Sequence, residues 1–130
     1  MSETTRLYRD GSGWEEAAGY SRGVRRSGRI AVSGTTATGA DGRALYPGDT
    51  YRQARAALER ALTAVRELGG GLQDVMRSRI YLTPDADWEG AVRAHVELLG
   101  AVAPANTTIR VAGLIGDNFL VEVELDAEIP

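Results

Sequence analysis

The chain has no cysteine, no lysine and a single histidine, so all fifteen basic residues are arginines. Each absence removes a class of chemistry. Without cysteine there is no disulfide framework, no thiolate nucleophile and no zinc–thiolate site. Without lysine no side-chain Schiff base can form, which excludes pyridoxal phosphate enzymes and lysine-dependent aldolases. The lone His95 cannot supply the histidine pairs that zinc sites usually require. The sequence also lacks metal-ligand spacing, a Gly-rich phosphate loop and a nucleophile elbow. No metal and no cofactor is therefore expected, and any catalysis falls to carboxylates, hydroxyls, arginine, backbone amides and water.

The 130 residues suit one domain, 1–130, burying roughly two-thirds of the surface that the unfolded chain exposes. No apolar run approaches the roughly 18 residues needed to cross a bilayer. The first residues lack the basic-then-apolar pattern of a signal peptide, so no membrane partner and a cytoplasmic location are expected. The net charge of -3 argues against nucleic-acid binding by phosphate neutralisation. One local exception is Arg22, Arg25, Arg26 and Arg29 around Ser27-Gly28, which reads either as a basic patch or as a solvated or interface-forming hairpin end.

The first 18 or so residues are polar and suggest a short edge strand or arm, with Trp14 among their few large apolar groups. Residues 20–26 and 29–36 suit two strands, with Ser27-Gly28 as the hairpin turn. In the second, Ile30 and Val32 share a face with Gly34, and a glycine there marks a bulge or a close approach to the backbone. Asp49 is a helix N-cap. Tyr51, Ala54, Leu58, Ala61, Val65 and Leu68 then recur at alternating spacings of three and four, tracing one stripe until Gly69-Gly70-Gly71 stops the helix. A strand over 76–83 follows, then helix-start signals at Thr83-Pro84-Asp85 and a second stripe of Trp88, Val92, Val96 and Leu99. Residues 107–112 and 119–126 make two more strands. The order predicts an α/β class, an α+β sandwich with both helices on one face of the sheet. On the last strand Phe119, Val121, Val123 and Leu125 form an apolar face. The other face, with Glu122, Glu124 and Asp126, is largely acidic and is either solvated or packed on another subunit.

Two stretches go further. Gly19-Tyr20-Ser21-Arg22-Gly23-Val24 runs into Ile30-Ala31-Val32-Ser33-Gly34-Thr35. Pro104-Ala105-Asn106-Thr107-Thr108-Ile109-Arg110-Val111 is followed by Leu120-Val121-Glu122-Val123-Glu124. Together they resemble the signature strands of the RidA (YjgF-type) family, also labelled endoribonuclease L-PSP. That resemblance extends from Trp14 to Asp126. It implies a chorismate-mutase-like fold with a mixed sheet, a homotrimer, and hydrolysis of reactive enamines or imines in clefts between subunits. It also implies that the last strand enters the middle of the sheet, whereas a simple hairpin over 114–118 would set Arg110 opposite Glu122.

By position in that family, Glu122 matches the glutamate associated with positioning water. A carboxylate can accept a proton from water held beside a C=N carbon. The plainer reading of Glu122 is a charge on a polar sheet face, paired with an arginine. Tyr20 matches the aromatic residue bordering the cleft, or packs in the core. Gly34 and Thr108 match positions whose backbone meets a substrate carboxylate, and Ser33 belongs to the same segment, Ser33-Gly34-Thr35. Trp14 either closes over the cleft or packs on the surface. Asn106 stands where the family usually has an arginine that clamps the carboxylate. Asparagine offers no charge and no bidentate fork, a difference of about 1.5 to 3 kcal/mol. Arg110 shares the strand parity of Asn106 but lies roughly 13 Å along the strand. It binds an anion in a displaced pose or joins an intersubunit ion pair. His95, beside the second stripe, reads as a structural histidine or a catalytic base.

The resemblance thus implies an imine- or enamine-hydrolysing homotrimer acting on a small-molecule substrate, with a substrate preference altered at Asn106. The alternatives are a non-catalytic small-molecule binder or pathway accessory protein, and a ribonuclease or translation inhibitor, against which the net acidity weighs.

Overall fold

The computed structural model describes residues 5–130. Among the described residues, six strands and three α-helices follow one another as β1 (Thr5–Tyr8), α1 (Trp14–Ala18), β2 (Gly23–Arg26), β3 (Arg29–Thr35), α2 (Thr50–Glu67), β4 (Val75–Leu82), α3 (Trp88–Leu99), β5 (Ala105–Arg110) and β6 (Val121–Glu128), with one 3-10 turn at Leu72–Asp74. The sheet order is β1-β2-β3-β6-β4-β5. The last strand therefore runs antiparallel between β3 and β4, and β5 pairs in parallel with β4 at the sheet edge. Glu122 stands opposite Tyr81, and Arg110 stands opposite Leu82 on the far side of β4. The simple hairpin of the last two strands does not form.

Local chemistry sets the elements. The β2–β3 hairpin turns through Ser27 and Gly28, with Ser27 at φ +50° and Arg26 paired to Arg29. Asp49 caps α2 by accepting from the Arg52 N–H at 3.0 Å, and Gly69 leaves the helix at φ +90°. The α2 stripe is buried as its spacing predicts, with Ala54, Leu58, Ala61, Val65 and Leu68 at or near zero exposure. It lies across β3 and β6, over the inner faces of Ile30, Val32, Ile80, Leu82, Val121, Val123 and Leu125. Each large aliphatic side chain buried there contributes about 1.5–3 kcal/mol. No helix among the described residues is long and apolar enough to cross a membrane.

Four expectations are corrected. The N-terminal arm contains not only the edge strand β1 but also the short helix α1, which begins at Trp14. Helix α3 starts at Trp88, because Thr83–Ala86 form a turn in which Thr83 Oγ1 donates to Asp85 Oδ1 at 2.9 Å. The buried face of α3 is Gly90, Ala91, Ala94 and Leu99, while Trp88 is 52% and Val96 60% exposed. Small side chains face inward there because α3 packs closely beside α2, where a methyl group on Gly90 would come within 3.3 Å of Tyr51 Cβ. Finally, Gly34 does not share the face of Ile30 and Val32. Val32 pairs with Leu125 but Thr35 pairs with Val123, so Ser33 and Gly34 together oppose Glu124. This bulge returns Thr35 to the core and turns Gly34 to the open face of the sheet.

Candidate functional site

On β6 the alternation of apolar and acidic residues separates the two faces of the sheet. Val121, Val123 and Leu125 enter the core, and Glu122, Glu124 and Asp126 project to the open side. There Arg79 Nη1 reaches Asp126 Oδ2 at 3.1 Å and the Tyr81 hydroxyl donates to Glu124. That hydrogen bond, then burial and the Glu124 charge, raise the Tyr81 pKa above its ordinary value. Glu122 is left for the cleft. Its carboxyl lies against the Cα of Gly34, the position the bulge has turned toward it, and a side chain on residue 34 would overlap it.

The cleft is a cavity of about 400 Å³. Its polar floor is Glu122, Ser33, Gly34 and Arg22, and its mouth is built from Trp14, Tyr20, Ile115 and Phe119. Ile115, 82% exposed on the loop between β5 and β6, also borders a neighbouring cavity of about 370 Å³ that Glu122 shares with Tyr81 and Glu124. Half-burial raises the Glu122 pKa, the Glu124 charge adds to the rise and Arg22 opposes it. The net displacement is upward, which brings the carboxyl closer to the range in which it can exchange protons near neutral pH.

Behind the floor is a network that the sequence reading missed. Arg22 is only 3% exposed and does not belong to a surface patch with Arg25, Arg26 and Arg29. Its Nη1 donates to the Gly34 carbonyl at 2.6 Å and to Thr35 Oγ1 at 3.3 Å, its Nε lies 3.5 Å from Asp10 Oδ2, and its guanidinium stands 5.6 Å from the Tyr20 ring centroid. Arg60, from α2, donates to the same Asp10 oxygen at 2.6 Å and to the Thr36 carbonyl at 3.0 Å. Two arginines thus satisfy carbonyls at the bulged end of β3 and share one carboxylate. Burial works to raise the Asp10 pKa, but the hydrogen bond and charge of Arg60 and the charge of Arg22 outweigh it, and the pKa lies below the usual carboxylate value. Glu15, 2% exposed, accepts from the backbone N–H groups of Gly11 at 3.0 Å and Arg22 at 2.9 Å, tying α1 to the start of β2. Two signals were available: Tyr20 and Arg22 have the same parity, and the acidic pair Glu15-Glu16 after Gly11-Ser12-Gly13 is a helix-start pattern.

Of the residues singled out by sequence, the fold brings Tyr20, Ser33, Gly34, Glu122 and Trp14 to one cavity. The Ser33 hydroxyl is engaged, donating to the Ser21 carbonyl at 2.6 Å. Asn106, Thr108 and Arg110 lie elsewhere. Their β4 partners are Ser78, Ile80 and Leu82, all of which face the helices, whereas Glu122 pairs with Tyr81 on the opposite face. Asn106 donates to Ser78 Oγ at 3.0 Å and accepts from Thr108 Oγ1 at 2.9 Å. Ser78 Oγ lies 2.7 Å from His95 Nε2, so the histidine bridges α3 to the sheet; burial lowers its pKa. Arg110 Nη1 donates to the carbonyls of Thr83, Pro84 and Ala86, each at 3.1 Å, and thereby fixes the turn ahead of α3.

Comparison with known proteins gives consistent results. The family model described as endoribonuclease L-PSP matches residues 12–129. Protein SCO2049 of Streptomyces coelicolor is 40% identical over 127 residues, covering 97% of this chain and 93% of that protein. The crystal structure of Rv2704 from Mycobacterium tuberculosis, a member of the YjgF/YER057c/UK114 family, is similar with a TM-score of 0.86 and 35% identity over 96% of this chain and 99% of that one. The YjgF product of E. coli shares the fold, with a TM-score of 0.75 at 22% identity over 85% of this chain and 88% of its own.

Proposed function

The chain belongs to the RidA/YjgF family, and on that premise we propose that it hydrolyses a small imine, or an enamine after tautomerisation, in clefts formed between the subunits of a homotrimer. Water adds to the imine carbon as Glu122 takes its proton. Return of that proton to nitrogen gives a carbinolamine, whose hydroxyl proton then passes to the amino nitrogen as the C–N bond breaks, releasing ammonia and leaving a carbonyl compound. The observation that carries this reading is the half-buried Glu122 carboxyl, its pKa raised by burial, on the floor of a 400 Å³ cavity with Gly34 beside it. The open acidic face of β6 is the surface that a neighbouring subunit covers. In that assembly Asn106 and Thr108, at the β5 edge, complete the cleft of the neighbour.

The substrate differs from an amino-acid-derived enamine whose carboxylate needs an arginine clamp. Asn106 carries no charge, and the mouth of Trp14, Tyr20, Ile115 and Phe119 suits an apolar or aromatic substituent. The engagement of Asn106 with Ser78 and Thr108 favours a second reading, a non-catalytic binder of the same kind of ligand.

Imines generated by an amino-acid oxidase separate the two. Ammonia release accelerated by the wild type and reduced to background in Glu122→Gln supports hydrolysis. No acceleration across aliphatic, aromatic and carboxylate-free imines overturns it in favour of binding. Sedimentation of the purified chain as a monomer overturns the intersubunit cleft.

A further inference from the structure

Three of the groups assigned to the cleft have one neighbour in common. The Arg22 guanidinium faces the Tyr20 ring at 5.6 Å, holds the Gly34 carbonyl at 2.6 Å and is the positive charge that acts on Glu122. We propose that Arg22 is the positioning residue of this site: from the wall of the cavity that it shares with Glu122, it locks the bulged Gly34 peptide against which the Glu122 carboxyl rests. The inference rests on the reading of Glu122 as the water-activating group.

The bulge explains why such a residue is needed. An extra residue in β3 interrupts the ladder at Ser33 and Gly34, and a buried carbonyl without a partner is costly. Arg22 supplies that partner from inside the protein, and Asp10 holds its other edge while being held in turn by Arg60. With one hydrogen bond fixed in the peptide and one ion pair fixed behind it, the guanidinium cannot swing out to solvent. The remaining ionisable groups around Glu122 are Glu124 on the same strand, Tyr81 on β4, Tyr20 in the cavity wall and Arg60 on α2. Glu124 opposes ionisation of Glu122, and Arg22 favours it. Burial and Glu124 alone would raise the carboxyl pKa further, and Arg22 limits that rise.

The test reads Glu122 directly, without substrate. In carbon-13 glutamate-labelled protein, the Glu122 carboxyl resonance, assigned by its loss in Glu122→Gln, is followed against pH. Arg22→Gln retains a donor for the Gly34 carbonyl but removes the charge, and its Glu122 midpoint is expected to rise by roughly one pH unit. Arg60→Gln, which loses its hold on the Thr36 carbonyl just beyond β3 and on Asp10, is expected to leave the midpoint in place. A folded Arg22→Gln protein whose Glu122 titrates as in the wild type overturns the proposal, as does an equal shift in Arg60→Gln. Should Arg22→Gln not fold, Arg22→Lys decides: a wild-type midpoint with kcat lowered about tenfold and KM little changed supports it, and a raised midpoint overturns it. Inactivity of the wild type on every imine would sink the hydrolytic reading, whereas the titration would still decide whether Arg22 sets the ionisation of Glu122.

Discussion

Arg22 and Glu122 meet through Gly34: the guanidinium takes the Gly34 carbonyl at 2.6 Å, while the carboxyl lies on the Gly34 Cα. The backbone at Gly34 has no left-handed conformation to excuse a glycine, so the need is for space alone.

Gly34→Ala is accordingly expected to cost function and little stability. The new methyl group overlaps the Glu122 carboxyl, which can rotate away because it is the free end of a side chain, so the change in unfolding free energy should stay below about 1 kcal/mol. Displacing a catalytic group by an ångström costs about a hundredfold in rate. Steady-state ammonia release and thermal unfolding measured together distinguish this from general damage.

The raised pKa of Glu122 makes a stability prediction with a definite sign. Its folded value lies above the unfolded value near 4.5, so the folded state holds the proton more tightly and loses stability as pH rises through the interval between them. Glu122→Gln removes that loss. The variant should unfold at a higher temperature than wild type at pH 7, and the difference should vanish below pH 4.5. A variant destabilised at pH 7 would show instead that the carboxylate is a structural partner.

His95 acts in the opposite direction. Burial depresses its folded pKa below the ordinary 6.5, so its contribution is complete above 6.5 and is lost as pH falls through the folded value. As the chain has one histidine, a single imidazole resonance reports that midpoint. Between pH 6.5 and the carboxylate range, His95→Gln should lose less stability on acidification than the wild type, and an unchanged slope would assign the acid sensitivity to other groups.

Helix α3 offers a test in which two substitutions that both introduce leucine separate by burial. Ala94→Leu inserts volume into a fully buried position and should cost about 1–3 kcal/mol, whereas Val96→Leu, at a site 60% exposed, should stay within about 0.5 kcal/mol of wild type. Chemical denaturation measures both, and the reverse ranking would restore the stripe of large side chains to the core.

That helix also shows where sequence reasoning failed. A periodic stripe was legible in α2, where Leu58, Val65 and Leu68 are both large and buried. In α3 the same rule followed Trp88, Val92 and Val96 outward, because close packing on α2 selects Gly90, Ala91 and Ala94, whose small side chains carry little weight in a hydrophobic pattern. Strand parity placed Glu122 correctly on the open face, yet it misplaced Gly34, since one extra residue in β3 reverses every facing after it. Arg22 was grouped with Arg25, Arg26 and Arg29 by distance along the chain, although its parity with Tyr20 pointed toward the cleft. The entry of β6 between β3 and β4 came from family resemblance; nothing in the alternation of residues encodes which strands become neighbours.

Asn106 provides the test of substrate class. An arginine there would gain two charge-assisted hydrogen bonds to a carboxylate, about 1.5 to 3 kcal/mol, provided the β5 edge of one subunit borders the cleft of the next. Asn106→Arg should then raise kcat/KM for carboxylate-bearing imines at least tenfold and leave carboxylate-free imines unchanged. The substitution releases the Ser78 hydroxyl from one partner, but the hydroxyl retains His95, so a change in unfolding free energy near 1 kcal/mol is expected and can be measured separately. Equal effects on both classes of imine would mean that residue 106 acts through the Ser78–His95 contact rather than on the ligand. No effect on either would place it outside the cleft, and with it the intersubunit arrangement from which its role was argued.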